Sequence, residues 1–342
     1  MTPGARAIRG GVALSRMDHI VPVGLYGPAA ADLVDRLVPR AIYLRDGGIA
    51  STVLLDADGA IFADVAVVAD DADFVLLAEG PSEEALLNHI QAAIQPGEEV
   101  EVRPMADRYR LLAVTGPWAW ELLEALAGPE ILGLPFQSAV LVGDDICLRT
   151  GRTGEWAYLL MVLESTVEAR WAELCRAGEA FDAAEADLDD LDTAALENGF
   201  FVIRAAGLAA LSPVEAQLQW CLTPGKEGFL GEEATRKSLA EPPAARLTFA
   251  VADIACAVGT PLQFGDAVVG RVIECRPAGS RSGFLVLCKM ELAFAHSGLT
   301  LTTEMGEVHT ISAPAVPNLS LALDPQRHRY ASRREDFPGW LP

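Results

Sequence analysis

The sequence predicts an α+β fold: a duplicated α+β body followed by a C-terminal antiparallel β-barrel. A strand–Gly-Pro–helix signature occurs twice, at residues 23–37 ("VGLYGPAAADLVDRL") and 113–128 ("AVTGPWAWELLEALAG"), with Gly27 and Gly116 lying 89 residues apart. The continuations of the two copies agree in kind, each a run of β-rich stretches and then a helix-like one. From Arg246 onward the chain turns almost wholly β, with Gly, Pro and Asp at the joints.

Within each signature, Gly-Pro ends a strand and opens a helix. Proline holds φ near its first-turn value, and its missing N–H would have had no partner there anyway. Helical spacing continues at Ala30, Leu33, Val34 and Leu37 in the first copy and at Leu122, Leu123 and Leu126 in the second. The first copy runs through "STVLLDADGAIFADVAVVADDADFVLLAEG" to "PSEEALLNHIQAAI". The second runs through "SAVLVGDDICLRTGRTGEWAYLLMV" to "STVEARWAELCRAG". Asp58-Gly59, between two β-rich runs, signals a hairpin. The body, residues 1–240, thus reads as two α+β repeats at about 12–105 and 106–240. A chance likeness of two βα units is the competing reading. After the break "EPPAA", the stretches "RLTFAVA", "AVVGRVIEC", "GFLVLCKM" and "LTLTTEMGEVHTISA" have the pattern of a small barrel or sandwich over 245–318. Residues 319–342 form a basic tail whose "DPQRHRYASRREDFPGW" carries four arginines and reads as a segment docked on an acidic surface.

With 342 residues, 51% of them hydrophobic, the chain has apolar surface enough for real cores. No apolar run approaches the roughly 20 residues of a membrane-spanning helix, and "MTPGARAIRGGVAL" lacks the apolar centre of a signal peptide. Six cysteines without a C-x-x-C pair and five histidines without H-E-x-x-H spacing predict a reduced, cytoplasmic setting and no metal site. The 48 acidic against 26 basic residues, net −22, repel phosphate backbones and anionic lipid, so neither nucleic acid nor membrane is expected as a partner. A small anionic ligand in a local pocket is compatible with that balance. No pattern speaks to oligomeric state.

Two carboxylates stand out. The strand "AIFADVAVV" places Phe62, Asp64, Ala66 and Val68 on one face and Ile61, Ala63, Val65 and Val67 on the other, so Asp64 has apolar neighbours whichever face is buried. Such a carboxylate is costly unless paired. A structural Asp met by backbone N–H groups or an arginine is the plain alternative to a functional one. In "RTGRTGEWAYLLMV", Gly151 and Gly154 make a turn and Glu155 opens a strand, with Ala157 and Leu159 on its own face. A glutamate there can accept two N–H bonds from an amidine-like heterocycle edge such as an aminopyrimidine, or it is merely a turn residue. No Ser/His/Asp set and no phosphate-binding loop is present.

Together these segments resemble the glycine-cleavage T-protein (aminomethyltransferase) family of folate-binding proteins. "MDHIVPVGLYGPAA" is similar to S-H-M-x-x-x-x-V-x-G-P-x-A, with His19 at the histidine, and "LLDADGAIFADVAVV" to L-N-x-x-G-G-I-x-D-D-L-x-V, with Asp64 at the second aspartate. "RTGRTGEWAYLL" is similar to R-T-G-Y-T-G-E-x-G-F-E. "TAALENGFF…LSPVEAQLQW" resembles L-R-L-E-A-G…S-P-L-E-A-x-L-G-W, and "KEGFLGEEA" resembles K-x-x-F-I-G-x-E-A. The likeness runs from about residue 12 to 318, with a shortened N-terminus. It implies three domains in a cloverleaf around a central cavity that holds tetrahydrofolate, lined by Asp64, Leu77, Glu155 and Tyr158. It further implies Asp64 as the catalytic carboxylate beside the reacting folate nitrogen and Glu155 as acceptor for the pterin's N–H edge. The activity implied is transfer of a methyl or aminomethyl unit, or demethylation, with folate and a small metabolite as partners. The sequence departs from the family pattern at Ser51, Asp56 and Ala195, and over "VIRAAGLAA". The alternative is a non-catalytic folate-binding helper or scaffold, a branch with K-G-C-Y-x-G-Q-E. Here Gly228 stands at that cysteine.

Overall fold

The computed structural model describes residues 1–204, 211–279 and 282–339. Helix α1 (Pro3–Gly10) starts at Thr2, whose hydroxyl accepts the Ala5 N–H, and leads into β1 (Ala13–Arg16). The first repeat runs β2 (Ile20–Tyr26), α2 (Ala30–Leu37), β3 (Ile49–Leu55), β4 (Ile61–Asp70), β5 (Asp73–Glu79), α3 (Glu83–Ala92) and β6 (Glu101–Pro104). The second runs β7 (Tyr109–Thr115), α4 (Ala119–Ala127), β8 (Ser138–Val142), β9 (Asp145–Arg149), β10 (Ala157–Leu163), α5 (Val167–Gly178) and β11 (Ala184–Glu185). Helices α6 (Leu188–Glu197) and α7 (Glu232–Ala240) precede the C-terminal strands.

The two Gly-Pro copies mark a true duplication. One sheet has the order β3-β4-β5-β2-β6 and the other β8-β9-β10-β7-β1-β11. Four strands in each take corresponding places with the same antiparallel pairings. The fifth place is filled by β6 in one sheet and in the other by β1, which falls inside the span expected for the first repeat (about 12–105) but joins the second sheet. Gly27 and Gly116 sit at φ +114° and +134°, and a backbone oxygen, of Glu99 and of Gly11 respectively, lies where a Cβ would go. Only glycine meets both demands, a left-handed φ and a close backbone neighbour.

Each sheet buries one face under its own helices. Ala63, Val65 and Val67 of β4 pack with Leu33, Leu37, Leu86 and Ile90. In the second repeat, Tyr158, Leu160 and Val162 of β10 pack with Trp118, Trp120 and Leu122. The opposite faces share a cluster containing Ile49, Leu77, Leu111, Leu148 and Met161.

Strands β12 (Ala245–Ala252), β13 (Pro261–Phe264), β14 (Ala267–Pro277), β15 (Phe284–Glu291), β16 (Thr300–Thr303) and β17 (Gly306–Thr310) close an antiparallel barrel in the order β12-β15-β14-β13-β16-β17. A fourth cluster joins Leu247, Leu285 and Leu287 of the barrel to Val53, Leu55 and Ile61 of the first sheet and Leu196 of α6. The tail returns to the second repeat. Arg329 pairs with Glu124 at 2.8 Å and Arg333 with Asp182 at 3.2 Å, while Tyr330 and Phe337 set their rings edge-on to Trp118. Among the described residues no helix is long and apolar enough to cross a membrane.

Candidate functional site

Where the sheets, α6 and the barrel meet, they enclose a cavity of about 880 Å³. Its walls are apolar at Met17, Ile49, Leu77 and Leu159, and charged at Asp64, Glu79, Arg152, Asp192 and Arg204. Strand alternation explains the acids. On β4, Asp64 points away from the helix-packed face of Ala63 and Val65; on β5, Leu77 and Glu79 point away from Leu76 and Ala78. Asp64 and Glu79 are also register partners across the two strands. Directly opposite residues in an antiparallel pair have Cβ atoms about 5 Å apart, so two like charges here require cations.

Arginines from elsewhere supply them. Arg152, from the turn before β10, lies 2.7 Å from Asp64 Oδ1 through Nη2 and 3.3 Å from Glu79 through Nη1. Arg204 donates to Glu79 at 2.7 Å and to Asp192 at 2.8 Å, and Arg276 of the barrel reaches Asp192 at 3.3 Å. Charge therefore alternates along one chain, Asp64–Arg152–Glu79–Arg204–Asp192–Arg276, that ties both repeats, α6 and the barrel together. Burial pushes Asp64 up from its ordinary carboxylate value, with Arg152 opposing. Burial acts the same way on Glu79, but Arg152 and Arg204 outweigh it and hold Glu79 below its usual value. His19, 3.8 Å from Glu79, is depressed mainly by burial.

Of the sequence-selected residues, Asp64 and Leu77 line the cavity. Tyr158 borders it as well, and Glu155 is placed otherwise. The Glu155 carboxylate accepts the backbone N–H groups of Leu319 (3.1 Å) and Ser320 (2.8 Å) and the Ser320 hydroxyl, with Arg9 at 3.6 Å. A glutamate accepting two N–H bonds was the expectation; the donors are the chain's own tail rather than a ligand. Tyr158 shares its strand face with Leu160 and Val162, so its ring lies in the aromatic core beside Trp156. The inward side chains of that strand are Ala157 and Leu159.

Two features escaped the sequence reading, Glu79 and a buried hub at Arg9; an arginine beside Asp64 is among its alternatives, but not that the arginine is Arg152. The hub guanidinium donates to Glu197, the Ala194 and Thr153 carbonyls and Asn318. Of the departures from the family pattern, Ser51 and Ala195 line the cavity, whereas Asp56 turns the β3–β4 hairpin by accepting the N–H groups of Asp58 and Ala60. Arg204 closes the described part of "VIRAAGLAA"; residues 205–210 lie outside the described residues.

The model of the GCVT N-terminal domain matches residues 2–226. The chain belongs to this family. An aminomethyltransferase of Corynebacterium aurimucosum is 25% identical over 287 residues, spanning 80% of this chain and 77% of that protein. An aminomethyltransferase of Streptomyces coelicolor is 29% identical over 248 residues, spanning 69% of this chain and 66% of that protein. The glycine cleavage system aminomethyltransferase T from Bartonella henselae shares the fold, with a TM-score of 0.84 over 92% of this chain and 89% of that one at 21% identity. Against the GCVT-type motif R-T-G-Y-T-G-E-x-G-F-E, Arg152 falls at the tyrosine and the inward-facing Leu159 at the final acid.

Proposed function

We propose that this GCVT-family chain is a tetrahydrofolate-dependent one-carbon transferase, moving a methyl or aminomethyl unit between folate and a small metabolite, with Asp64 at the reacting nitrogen. The observation that carries this reading is the setting of Asp64. Its carboxylate stands at the open end of the charge chain, 23% exposed, inside the cavity. Oδ1 meets Arg152, and Oδ2 has no hydrogen bond among the described residues.

Tetrahydrofolate suits the site in three respects. About 880 Å³ is within the range of cofactor pockets. Met17, Ile49, Leu77 and Leu159 offer apolar walls to a flat ring. Asp64 offers one carboxylate oxygen to a nitrogen-borne centre. In one respect the site differs from the expectation: with Glu155 committed to the tail, the pterin's N–H edge must find its acceptors among other wall groups.

Bound folate would supply the nitrogen that carries the one-carbon unit. The protein's part is to hold Asp64 Oδ2 toward that nitrogen, where it can take or return a proton and stabilise developing positive charge. The alternative, a scaffold of the same family without folate, draws on the commitment of Glu155 to the tail and the leucine at position 159.

A thermal-shift titration with tetrahydrofolate separates the two. Ligand at about 100 times its Kd adds roughly 2.7 kcal/mol of stability. A rise of a few degrees in Tm is expected, and no response at millimolar folate would move the assignment to the scaffold.

A further inference from the structure

Asp64 and Glu79 are neighbours across β4 and β5 on a face turned away from bulk water, and only one cation touches Asp64 among the described residues. Glu79 has two, Arg152 and Arg204. The other charged or titratable groups around Asp64 do not substitute. Cys221 faces it with a thiol that burial pushes up to about 12, so it stays protonated. His19, Arg204 and Asp192 sit on the far side of Glu79. Arg40, also on the wall, hydrogen-bonds the Ser51 carbonyl. The fate of the Asp64 charge therefore hangs on one side chain.

That side chain is firmly placed. The Arg152 carbonyl accepts from Asn198 Nδ2 at 3.0 Å, and the neighbouring Thr153 carbonyl accepts from buried Arg9 at 2.6 Å. Gly154, at φ +82°, lies against Asn198 and Asn318, so the turn is held from α1, the end of α6 and the tail at once. The guanidinium that reaches into the cavity is thus carried by an anchored backbone rather than a free loop.

We propose that Arg152 is a positioning residue that decides the protonation state of Asp64: with Arg152 present, Asp64 works as an ionised carboxylate, and without it Asp64, beside a Glu79 that keeps Arg204, holds a proton at neutral pH. Two carboxylates on one face of a buried sheet cannot both ionise without a cation between them. The inference rests on the reading of Asp64 as the working carboxylate, but its test uses no folate, so the two can fail separately.

The experiment compares unfolding equilibria of wild type, Arg152→Met and the double variant Arg152→Met/Asp64→Asn between pH 5 and 8. In Arg152→Met the folded-state pKa of Asp64 rises further above its unfolded value. Such a group contributes stability at low pH that is lost as pH climbs toward the folded value. Across at least one pH unit in this range, the folding equilibrium of Arg152→Met should fall relative to wild type by about tenfold per unit, the slope of one proton. The double variant should lack that slope and fold better than Arg152→Met at pH 8. A deficit of Arg152→Met that does not change with pH would overturn the proposal. If Arg152→Met does not fold at pH 8, the double variant decides: folding supports the proposal, and failure to fold overturns it.

Discussion

Asp64→Asn tests whether the carboxylate is chemical or structural, because the geometry makes the two outcomes diverge. The amide keeps the shape of the side chain and removes its charge. Breaking a buried ion pair costs about 3–5 kcal/mol when it strands the partner charge. Here Arg152 is not stranded. It keeps Glu79 at 3.3 Å, and an asparagine Oδ1 at position 64 can still accept from Nη2, the donor now 2.7 Å from Asp64. Both side chains are also partly open to the cavity, Asp64 by 23% and Arg152 by 32%, which screens the pair. Loss of the repulsion between Asp64 and Glu79 offsets part of what remains. The net cost should therefore be about 1 kcal/mol, the scale of one hydrogen bond, and Tm should move by only a few degrees. Turnover should fall by about 10²–10⁴-fold while folate affinity changes far less. Single-turnover transfer from a folate-borne one-carbon unit, set beside a thermal melt, reads both axes. A variant that unfolds, or one that turns over at the wild-type rate, would refute the assignment.

Two further substitutions probe the frame that holds the site. Arg9→Met should cost about 3 kcal/mol or more in denaturant unfolding, because it removes a buried guanidinium that pairs with Glu197 at 2.8 Å and donates to the Thr153 and Ala194 carbonyls. A loss under about 1 kcal/mol would show that the hub has water enough to replace the guanidinium. Gly116→Ala should destabilise by more than about 2 kcal/mol, because strain at φ +134° adds to a clash with the Gly11 carbonyl. Gly97→Ala, at φ +89° with nothing within 4 Å of the new methyl, should cost only about 1 kcal/mol, and equal losses at the two sites would remove the clash from the account.

The features legible in the sequence are those that local spacing encodes. The duplication shows because each Gly-Pro break needs the same residue types wherever it occurs, and Asp64 shows because alternation along β4 makes a lone acid among apolar residues conspicuous. The origin of the fifth strand does not show, since β1 reaches its place beside β7 from almost 100 residues away. Glu155 was understood chemically but not spatially. An acceptor of two N–H groups can be recognised from its setting in a turn, while the donors, Leu319 and Ser320, sit in the tail. Tyr158 borders the cavity, but counting predicts that its ring packs the other way: a face shared by Ala157 and Leu159 leaves the side chain at 158 on the helix-packed side.

The arginines pose a different difficulty, because nothing near Arg152, Arg204 or Arg276 in the sequence names a partner. In a chain with 48 acidic residues and 26 basic ones, most carboxylates can stay in water and need no cation. Those that the sheets force inward cannot. Asp64, Glu79 and Asp192 are turned into the cavity by strand parity and helix phase, and each meets a guanidinium carried in from another part of the fold. The chain of charge is thus a consequence of where the backbone places its acids. Its one open end, at Asp64, is where a ligand would complete the alternation.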